Sequence, residues 1–122
     1  MKLPEKGFFV GDAITKWLDN GRDMQLMSAL SFVDRAGRVW RAPAGSIVDG
    51  ASIPRICWRL IGSPFCGKYR RASIIHDAYC VARSRPWQDV HRCFNDMMAA
   101  DGVGWLKRWA MFRAVYHFGP RW

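Results

Sequence analysis

The stretch from Tyr69 to Cys80 constrains the fold most, because it sets an adjacent imidazole and carboxylate, His76 and Asp77, in an otherwise apolar segment. Three residues recur here at intervals of three and four, and so predict a helical stripe that faces a core: Ala72, Ile75 and Tyr79. His76 borders that stripe, and Asp77 lies about 100° further round the helix. The two side chains can therefore point at one pocket but cannot chelate one ion in parallel. A hydrogen-bonded core histidine is the structural alternative.

The chain of 122 residues is long enough for one domain, spanning 1–122, with a single core. Half of the residues are hydrophobic and seven are Trp, which argues against disorder. No apolar run approaches the roughly 20 residues that a membrane-spanning helix needs. Residues 1–10 carry charges within their apolar part and do not read as a signal peptide. We therefore expect a soluble protein that is made in the cytoplasm.

The net charge of +9 is unevenly distributed along the chain. Residues 51–122 contain twelve Lys and Arg against four Asp and Glu, so this part alone carries +8. Such a bias suits an anionic partner, whether phospholipid, nucleic acid or an acidic protein surface, without choosing among them. A solvated basic face that only aids solubility is the alternative.

The four cysteines are scattered and contain no C-x-x-C pair: Cys57, Cys66, Cys80 and Cys93. This pattern predicts reduced, partly buried thiols instead of a disulfide scaffold. Cys80 follows His76 by four residues and therefore shares its helix face. With His91 as a third ligand these residues form a candidate zinc site, although the closely spaced ligand pairs of common zinc sites are absent.

Residues 13–48 are predicted to form a small antiparallel β meander. Two strands, at 13–18 and 24–33, flank the dipeptide Asn20–Gly21, which favours a tight hairpin turn. A short amphipathic helix over the first segment is the alternative. A second turn at residues 34–37 leads into another strand.

Residues 49–68 form a loop-rich connector in which a short helix is expected at 55–61 and a break after it. Residues 69–119 form the helical part, where the first helix is followed by one over 87–100 and a third from Gly104. The third helix carries an aromatic stripe that is predicted to face the core: Trp105, Trp109, Phe112 and Tyr116. The fold class is therefore α+β, with an N-terminal antiparallel β meander before about three helices.

Several residues are expected near His76. The loop before the helices contains Asp49 and Ser52 beside a glycine that lets the chain bend inward, so Asp49 is predicted to enter the same cleft. An Asx-type turn is the alternative for Asp49. His91 lies one turn before Asn95 and can reach the first helix if the two helices pack antiparallel. The candidate site has two catalytic histidines, two cation ligands and three supporting residues: His76 and His91, Asp77 and Asp49, and Ser52, Asn95 and Cys80.

Ordered motifs along residues 13–122 resemble those of a small family of phage and prophage proteins whose function is not established: Pro43–Gly45, Asp49–Arg55, Gly62-x-Pro64, His76–Asp77 and Ala114–Gly119. This resemblance implies a phage-encoded protein, but it implies no activity.

The second half is also similar to the helix pair of secreted phospholipase A2, particularly its bacterial form, through Gly62-x-Pro64, His76–Asp77 with Tyr79, Phe94 with Met97, and Tyr116 with Phe118–Gly119. This resemblance implies that His76 is the general base for a water, and that Asp77 and carbonyls of the preceding loop bind calcium. His91 stands where that family has a supporting Asp, and Cys80 stands where it has a Tyr. The paired cysteines of the secreted enzymes are missing as well.

These observations lead to the hypothesis of a phage-encoded, metal-assisted hydrolase that acts on an ester- or amide-type substrate with calcium or zinc. The alternative is a non-catalytic phage protein, either a virion tail component or a binder of a host factor, that uses its basic aromatic half as an interface. The expected partners are anionic lipid, a host or virion protein, or nucleic acid. The protein would be made in the host cytoplasm and, in the tail alternative, would become virion-associated.

Overall fold

The structure of the protein is a computed structural model that describes the following residues: 7–21, 23–50, 52–61 and 67–122. The described part contains two three-stranded antiparallel sheets followed by helices, so the predicted α+β class is confirmed. The predicted break after the first helix, at residues 62–66 with Cys66, lies outside the described residues. Within the described residues, none of the helices has the length and hydrophobicity needed to cross a membrane.

The first sheet has the order β1-β4-β5 and the second has the order β2-β3-β6. The strands are β1 Phe8–Val10, β2 Thr15–Trp17, β3 Met24–Leu26, β4 Leu30–Val33, β5 Val39–Ala42 and β6 Ile47–Val48. The helices are α1 Arg55–Ile61, α2 Arg70–Ala82, α3 Trp87–Ala100 and α4 Trp105–Phe118, and a 3-10 turn, Gly67–Tyr69, precedes α2.

The predicted hairpin around Asn20–Gly21 is confirmed, because β2 pairs with β3 across that turn and Gly21 adopts a φ of 73°. The alternative of a helix over this segment is therefore wrong. The predicted single strand at 24–33 is also wrong, since it is two strands in different sheets. A bend separates them, where the amide of Met27 donates to the carbonyl of Ile14 at 2.7 Å. Apolar residues recur at even positions on both sides of the bend, so the pattern alone does not reveal it.

The second predicted turn joins β4 and β5, with Val33 opposite Val39, and is confirmed. β1 pairs with β4 and was not predicted, because a run of three residues carries too little periodicity.

The helix bounds predicted for α1 and α3 are confirmed, and α2 begins at Arg70. The predicted core orientation of the α4 aromatic stripe is wrong for Trp105 and Trp109, which are 72% and 55% exposed, whereas Phe112 and Tyr116 are half-buried. α4 packs mainly against α3 and buries only a narrow face, which Met111 and Val115 occupy at a spacing of four. The outward face of α4 therefore combines aromatic and basic side chains.

The first sheet docks on the C-terminal half of α2 through Tyr79. The Tyr79 hydroxyl accepts the Arg41 amide at 2.8 Å, and its ring meets the buried Trp40 ring edge-on at 5.0 Å. Arg85 lies over both rings, with its guanidinium 4.3 Å from the centre of Trp40 and 5.3 Å from that of Tyr79. β6 of the second sheet also contacts α2, and the loop after β6 reaches Asp77 on that helix.

Candidate functional site

His76 and Asp77 occupy the buried face of α2, with 1% and 2% of their surfaces exposed. The imidazole of His76 points towards α3 and the carboxylate of Asp77 points towards the loop after β6, as their partners show. The two neighbouring side chains therefore contact different elements, as expected from their angular separation on the helix.

The Asp77 carboxylate holds the loop that carries Ser52. One oxygen accepts the amide of Asp49 at 3.2 Å and the other accepts the amide of Ser52 at 3.3 Å. Burial raises the pKa of Asp77 and the charge of Asp49 adds to that rise, while hydrogen bonds from Ser52 and the Asp49 amide oppose it. Asp77 thus fixes the position of Ser52 relative to α2.

A chain of hydrogen bonds runs through four residues of the interior. Ser52 Oγ lies 3.1 Å from His76 Nδ1, and His76 Nε2 lies 2.9 Å from His91 Nδ1. His91 Nε2 lies 2.8 Å from the carbonyl oxygen of Pro120. The predicted contact between His91 on α3 and His76 on α2 is therefore present.

The proton positions along this chain follow from its last member. The Pro120 carbonyl can only accept, so His91 carries its proton on Nε2 and accepts on Nδ1. His76 must then donate from Nε2, which leaves its Nδ1 as an acceptor for the Ser52 hydroxyl. The Ser52 hydroxyl can thus donate to a neutral imidazole, the arrangement that a serine nucleophile needs, and the same hydroxyl also hydrogen-bonds with the Asp77 carboxylate.

Burial favours the neutral form of both imidazoles. Burial and the neighbouring His91 lower the pKa of His76 well below its ordinary value. Burial also lowers the pKa of His91, and Arg121 lowers it further, while the hydrogen bond to Pro120 acts in the opposite direction.

Cys80 lies beside the two histidines, one helical turn after His76. Its Sγ is 3.7 Å from His76 Nε2 and 3.9 Å from His76 Nδ1. One ligand atom from each of Cys80, His76 and His91 lies within 4.8 Å of the others, and all three residues are buried. Burial, with a contribution from the Asp77 charge, raises the pKa of the Cys80 thiol to about 12. The thiol is therefore protonated at neutral pH unless a cation lies against it.

Aromatic rings and the C-terminal segment enclose the histidines. Phe94 lies 4.7 Å from the His76 ring, and three further rings surround His91: Trp87, Tyr116 and Trp122. The indole of Trp122 donates to the Arg85 carbonyl at 2.9 Å, which ties the last residues to the α2–α3 connection. Gly119 permits this return, because a Cβ there would collide with the carbonyl of Val115.

The structure assembles part of the predicted site. Ser52, Cys80, His76 and His91 come together. The Asp49 side chain is exposed, its amide donates to the Asp77 carboxylate, and its charge raises the pKa of Asp77. Asn95 is half-buried on α3, one turn beyond His91, and none of the hydrogen bonds described here involves its side chain. The roles of Asp49, Asp77 and Asn95 in metal binding or catalysis stay predictions.

The donors at the site suit a borderline-soft metal better than calcium. Both oxygens of Asp77 already accept backbone amides, and the remaining donors are two imidazoles and a thiol. Sequence reasoning missed the Pro120 carbonyl, because a backbone carbonyl leaves no pattern in the sequence.

The fold and the site define a small α+β protein built around a buried Ser–His–His hydrogen-bond chain with an adjacent cysteine. Residues 24–115 match the family described as "Protein of unknown function (DUF1353)", and the chain belongs to that family. The predicted membership of a family without established function is thereby confirmed.

Two relatives come from Sinorhizobium fredii (strain NBRC 101917 / NGR234). The chain is 48% identical to the uncharacterized protein y4jT over 98 residues. This aligned stretch covers 80% of the chain and 29% of the relative. It is 42% identical to the uncharacterized protein y4iH over 97 residues. This second aligned stretch covers 80% of the chain and 41% of the relative. The chain thus spans less than half the length of either relative. No solved structure matches the chain. The phage origin and the similarity to phospholipase A2 stay predictions.

Proposed function

We propose that the protein is a hydrolase of an ester- or amide-type substrate in which Ser52 is the nucleophile and His76 is the general base. The observation that carries this proposal is the contact of 3.1 Å between Ser52 Oγ and His76 Nδ1. It joins a hydroxyl to an imidazole nitrogen that the rest of the hydrogen-bond chain leaves free to accept a proton.

The reaction begins when Ser52 Oγ attacks the substrate carbonyl and gives its proton to His76 Nδ1. The resulting imidazolium donates through Nε2 to His91 Nδ1, which holds the ring in place. His76 then returns the proton to the leaving group, and a water activated by the same nitrogen releases the acyl group from Ser52. His91 is therefore a positioning residue, and it stabilises the charged ring less than a carboxylate would.

Access to Ser52 requires movement of its loop, since the residue is only 3% exposed. The loop is attached through the two amides that Asp77 accepts and through the bond of 3.0 Å from the Ile53 amide to the Gly50 carbonyl. Active-site loops commonly open and close in this way.

A metal-assisted form of this hydrolase, in which Asp77 and Asp49 hold calcium, is a separate hypothesis. The charge of Asp49 raises the pKa of Asp77, so a cation between the two carboxylates would relieve repulsion. No step of the mechanism above depends on that ion. Hydrolysis that requires calcium and is lost on chelation would support the metal-assisted form.

Labelling with a fluorophosphonate, which reacts with activated serine hydroxyls, tests the proposal. We expect labelling of the wild-type protein at Ser52, located by mass spectrometry of the digested protein. Ser52→Ala should abolish labelling, and His76→Ala should slow it by a factor of about 10² to 10⁴, the usual contribution of a general base.

Ser73→Ala is the matched control. Ser73 is a buried serine on α2, the helix that carries His76, and it is not part of the hydrogen-bond chain. Its labelling should equal that of the wild type. Equal labelling of Ser52→Ala and wild type, or no labelling of folded wild-type protein, would refute the serine mechanism.

A second candidate function, a binding module for an anionic lipid surface, is favoured by the outward face of α4. Trp105, Trp109 and Arg113 follow at intervals of four and share that face, and Arg113 lies 5.5 Å from the Trp109 ring centre. A basic helix with exposed Trp and Leu side chains suits the interface of an anionic bilayer. The other partners under this proposal are a host or virion protein and nucleic acid. The proposal also assumes that the protein is phage-encoded and is made in the host cytoplasm.

Sedimentation with vesicles that contain an anionic lipid tests this second function. Binding should weaken as salt is added, and the double change Trp105→Ala with Trp109→Ala should reduce it at least tenfold. Val81→Ala is the control, since Val81 is 73% exposed but lies on α2. Binding that is equal for neutral and anionic vesicles, or that survives the double change, would contradict the lipid surface.

A further inference from the structure

The group of His76, Cys80 and His91 contains more ligating atoms than the hydrolytic mechanism uses. We propose that this group binds a divalent transition metal of the zinc type, and that the bound metal switches off the Ser52 nucleophile. The second half of this inference rests on the proposed function, whereas the metal site itself does not.

Two of the distances between the ligand atoms are close to those of a tetrahedral site, and all three atoms lie within 4.8 Å of one another. His76 Nε2 lies 3.7 Å from Cys80 Sγ and 2.9 Å from His91 Nδ1. Zinc bonds of about 2.0–2.3 Å place neighbouring ligand atoms about 3.3–3.6 Å apart. A shift of a few tenths of an ångström brings the two imidazole nitrogens to that spacing. A thiolate and two imidazoles select zinc, cobalt or copper over calcium and magnesium.

The remaining nitrogen of each histidine already has the kind of partner that ligating histidines use. His91 Nε2 donates to the Pro120 carbonyl at 2.8 Å, which leaves Nδ1 free for a metal. His76 Nδ1 faces Ser52 Oγ at 3.1 Å, which fixes the ring with Nε2 turned towards Cys80 and His91. Such outer hydrogen bonds orient metal ligands and raise their basicity.

Metal binding moves one proton within the His76 ring and releases one proton from Cys80. His76 Nε2 must lose its proton to bind the ion, and the ring stays neutral if that proton is placed on Nδ1. Cys80 binds as thiolate, so its proton goes to solvent, and one proton is released in total. His91 keeps its Nε2 proton on the Pro120 carbonyl.

The shift at His76 reverses its hydrogen bond with Ser52. With a proton on Nδ1, the ring donates to Ser52 Oγ and can no longer accept the hydroxyl proton during attack. The Nδ1 lone pair that would have acted as the base is then bonded to that proton, while the Nε2 lone pair is bonded to the metal. The metal-bound protein is therefore the inactive form, and removal of the metal restores the base.

Cobalt(II) tests the metal site, because its thiolate complexes absorb through sulfur-to-metal charge transfer. Metal-stripped wild-type protein should bind one cobalt ion with this absorption, and zinc chloride should displace it. Cys80→Ala and Cys80→Ser should lose the absorption, whereas Cys93→Ala should keep it, since Cys93 is a buried cysteine outside the group. Calorimetric titration with zinc in buffers of different ionisation enthalpy should give one proton released.

A melting curve of each variant without metal confirms that it is folded. Absence of the charge-transfer band in wild type, or its persistence in both Cys80 variants, would overturn the metal site.

The switch is tested by fluorophosphonate labelling with and without zinc chloride. Zinc should suppress labelling of Ser52 at least tenfold in wild type, should not affect Cys80→Ala, and should be reversed by a chelator. Ser52→Ala should still bind cobalt, which separates the metal site from the nucleophile. Zinc that binds but leaves labelling unchanged or increases it overturns the switch. Labelling that fails even in metal-free protein overturns the proposed function and the switch together, while the cobalt spectrum still decides the metal site.

Discussion

Replacing Asp77 by Asn tests whether its carboxylate anchors the Ser52 loop. In the native protein each carboxylate oxygen accepts one backbone amide, from Asp49 and from Ser52. Asparagine offers one oxygen and one NH2 group, so one of these amides would face another donor. Asp77 is 2% exposed, and water cannot easily replace the lost acceptor.

The expected loss of stability comes from two opposing effects. An unsatisfied buried donor costs about 1–3 kcal/mol. Removing a buried charge recovers part of this, since burial raises the pKa of Asp77 and so disfavours its charged form in the folded protein. We therefore expect Asp77→Asn to lose about 1–2 kcal/mol of unfolding free energy, and Asp77→Ala, which leaves both amides without an acceptor, to lose about twice as much. Each kcal/mol corresponds to about 4 °C in Tm for a protein of this size.

Urea denaturation at pH 7 measures this loss, with Asp89→Asn as the control. Asp89 is a half-exposed carboxylate on α3 that pairs with Arg38 and Arg92, so its replacement should cost no more than about 1 kcal/mol. Fluorophosphonate labelling should also fall in Asp77→Asn, because Ser52 would no longer be held against His76. Equal urea midpoints for Asp77→Asn and Asp89→Asn, with unchanged labelling, would refute the anchoring argument.

Two further predictions concern stability away from the site. Burial raises the pKa of Asp34, but hydrogen bonds from Trp40, Arg38 and Ala36 together hold it below the ordinary value. Wild type should therefore exceed Asp34→Asn by about 2 kcal/mol in urea denaturation at pH 7, and the difference should disappear as the pH falls below 3.8 and through the lower pKa of the folded carboxyl. Thermal melts should show that Trp109→Ala costs no more than about 1 kcal/mol, because Trp109 is 55% exposed, whereas truncation of the fully buried Phe94 costs about 3–5 kcal/mol.

The parts of the fold that could be predicted are those with local causes. The β2–β3 hairpin follows from Asn20–Gly21, since that dipeptide adopts the backbone angles of a tight turn. The bounds of α3 follow from Pro86 before it and Gly102 after it. The separation of β3 and β4 into two sheets, and the outward orientation of Trp105 and Trp109, depend on which elements pack together, and no local pattern encodes that.

The candidate site likewise has parts that could be predicted from the sequence and parts that could not. Helical periodicity predicted that Cys80 shares a face with His76, and that His91 could reach them from the next helix. The carbonyl of Pro120 and the orientation of Ser52 could not be predicted, because both depend on backbone groups that every residue possesses. Yet the carbonyl of Pro120 fixes the tautomer of both histidines and hence decides which nitrogen can act as a base.

His76 and Asp77 lie at different angles around α2. The Ser52 loop and the metal-binding group are therefore held by different residues, which can be mutated separately. Asp77 positions Ser52 through backbone amides and contributes no ligand atom to the group that would hold a metal. Cys80 contributes a ligand and does not hold the Ser52 loop through those amides. Loss of the Asp77 carboxylate should therefore weaken the nucleophile and spare metal binding, while loss of the Cys80 sulfur should do the reverse. His76 belongs to both arrangements, because one of its nitrogens faces Ser52 and the other faces Cys80 and His91. His91 also takes part in both, as the hydrogen-bond partner of His76 and as a ligand.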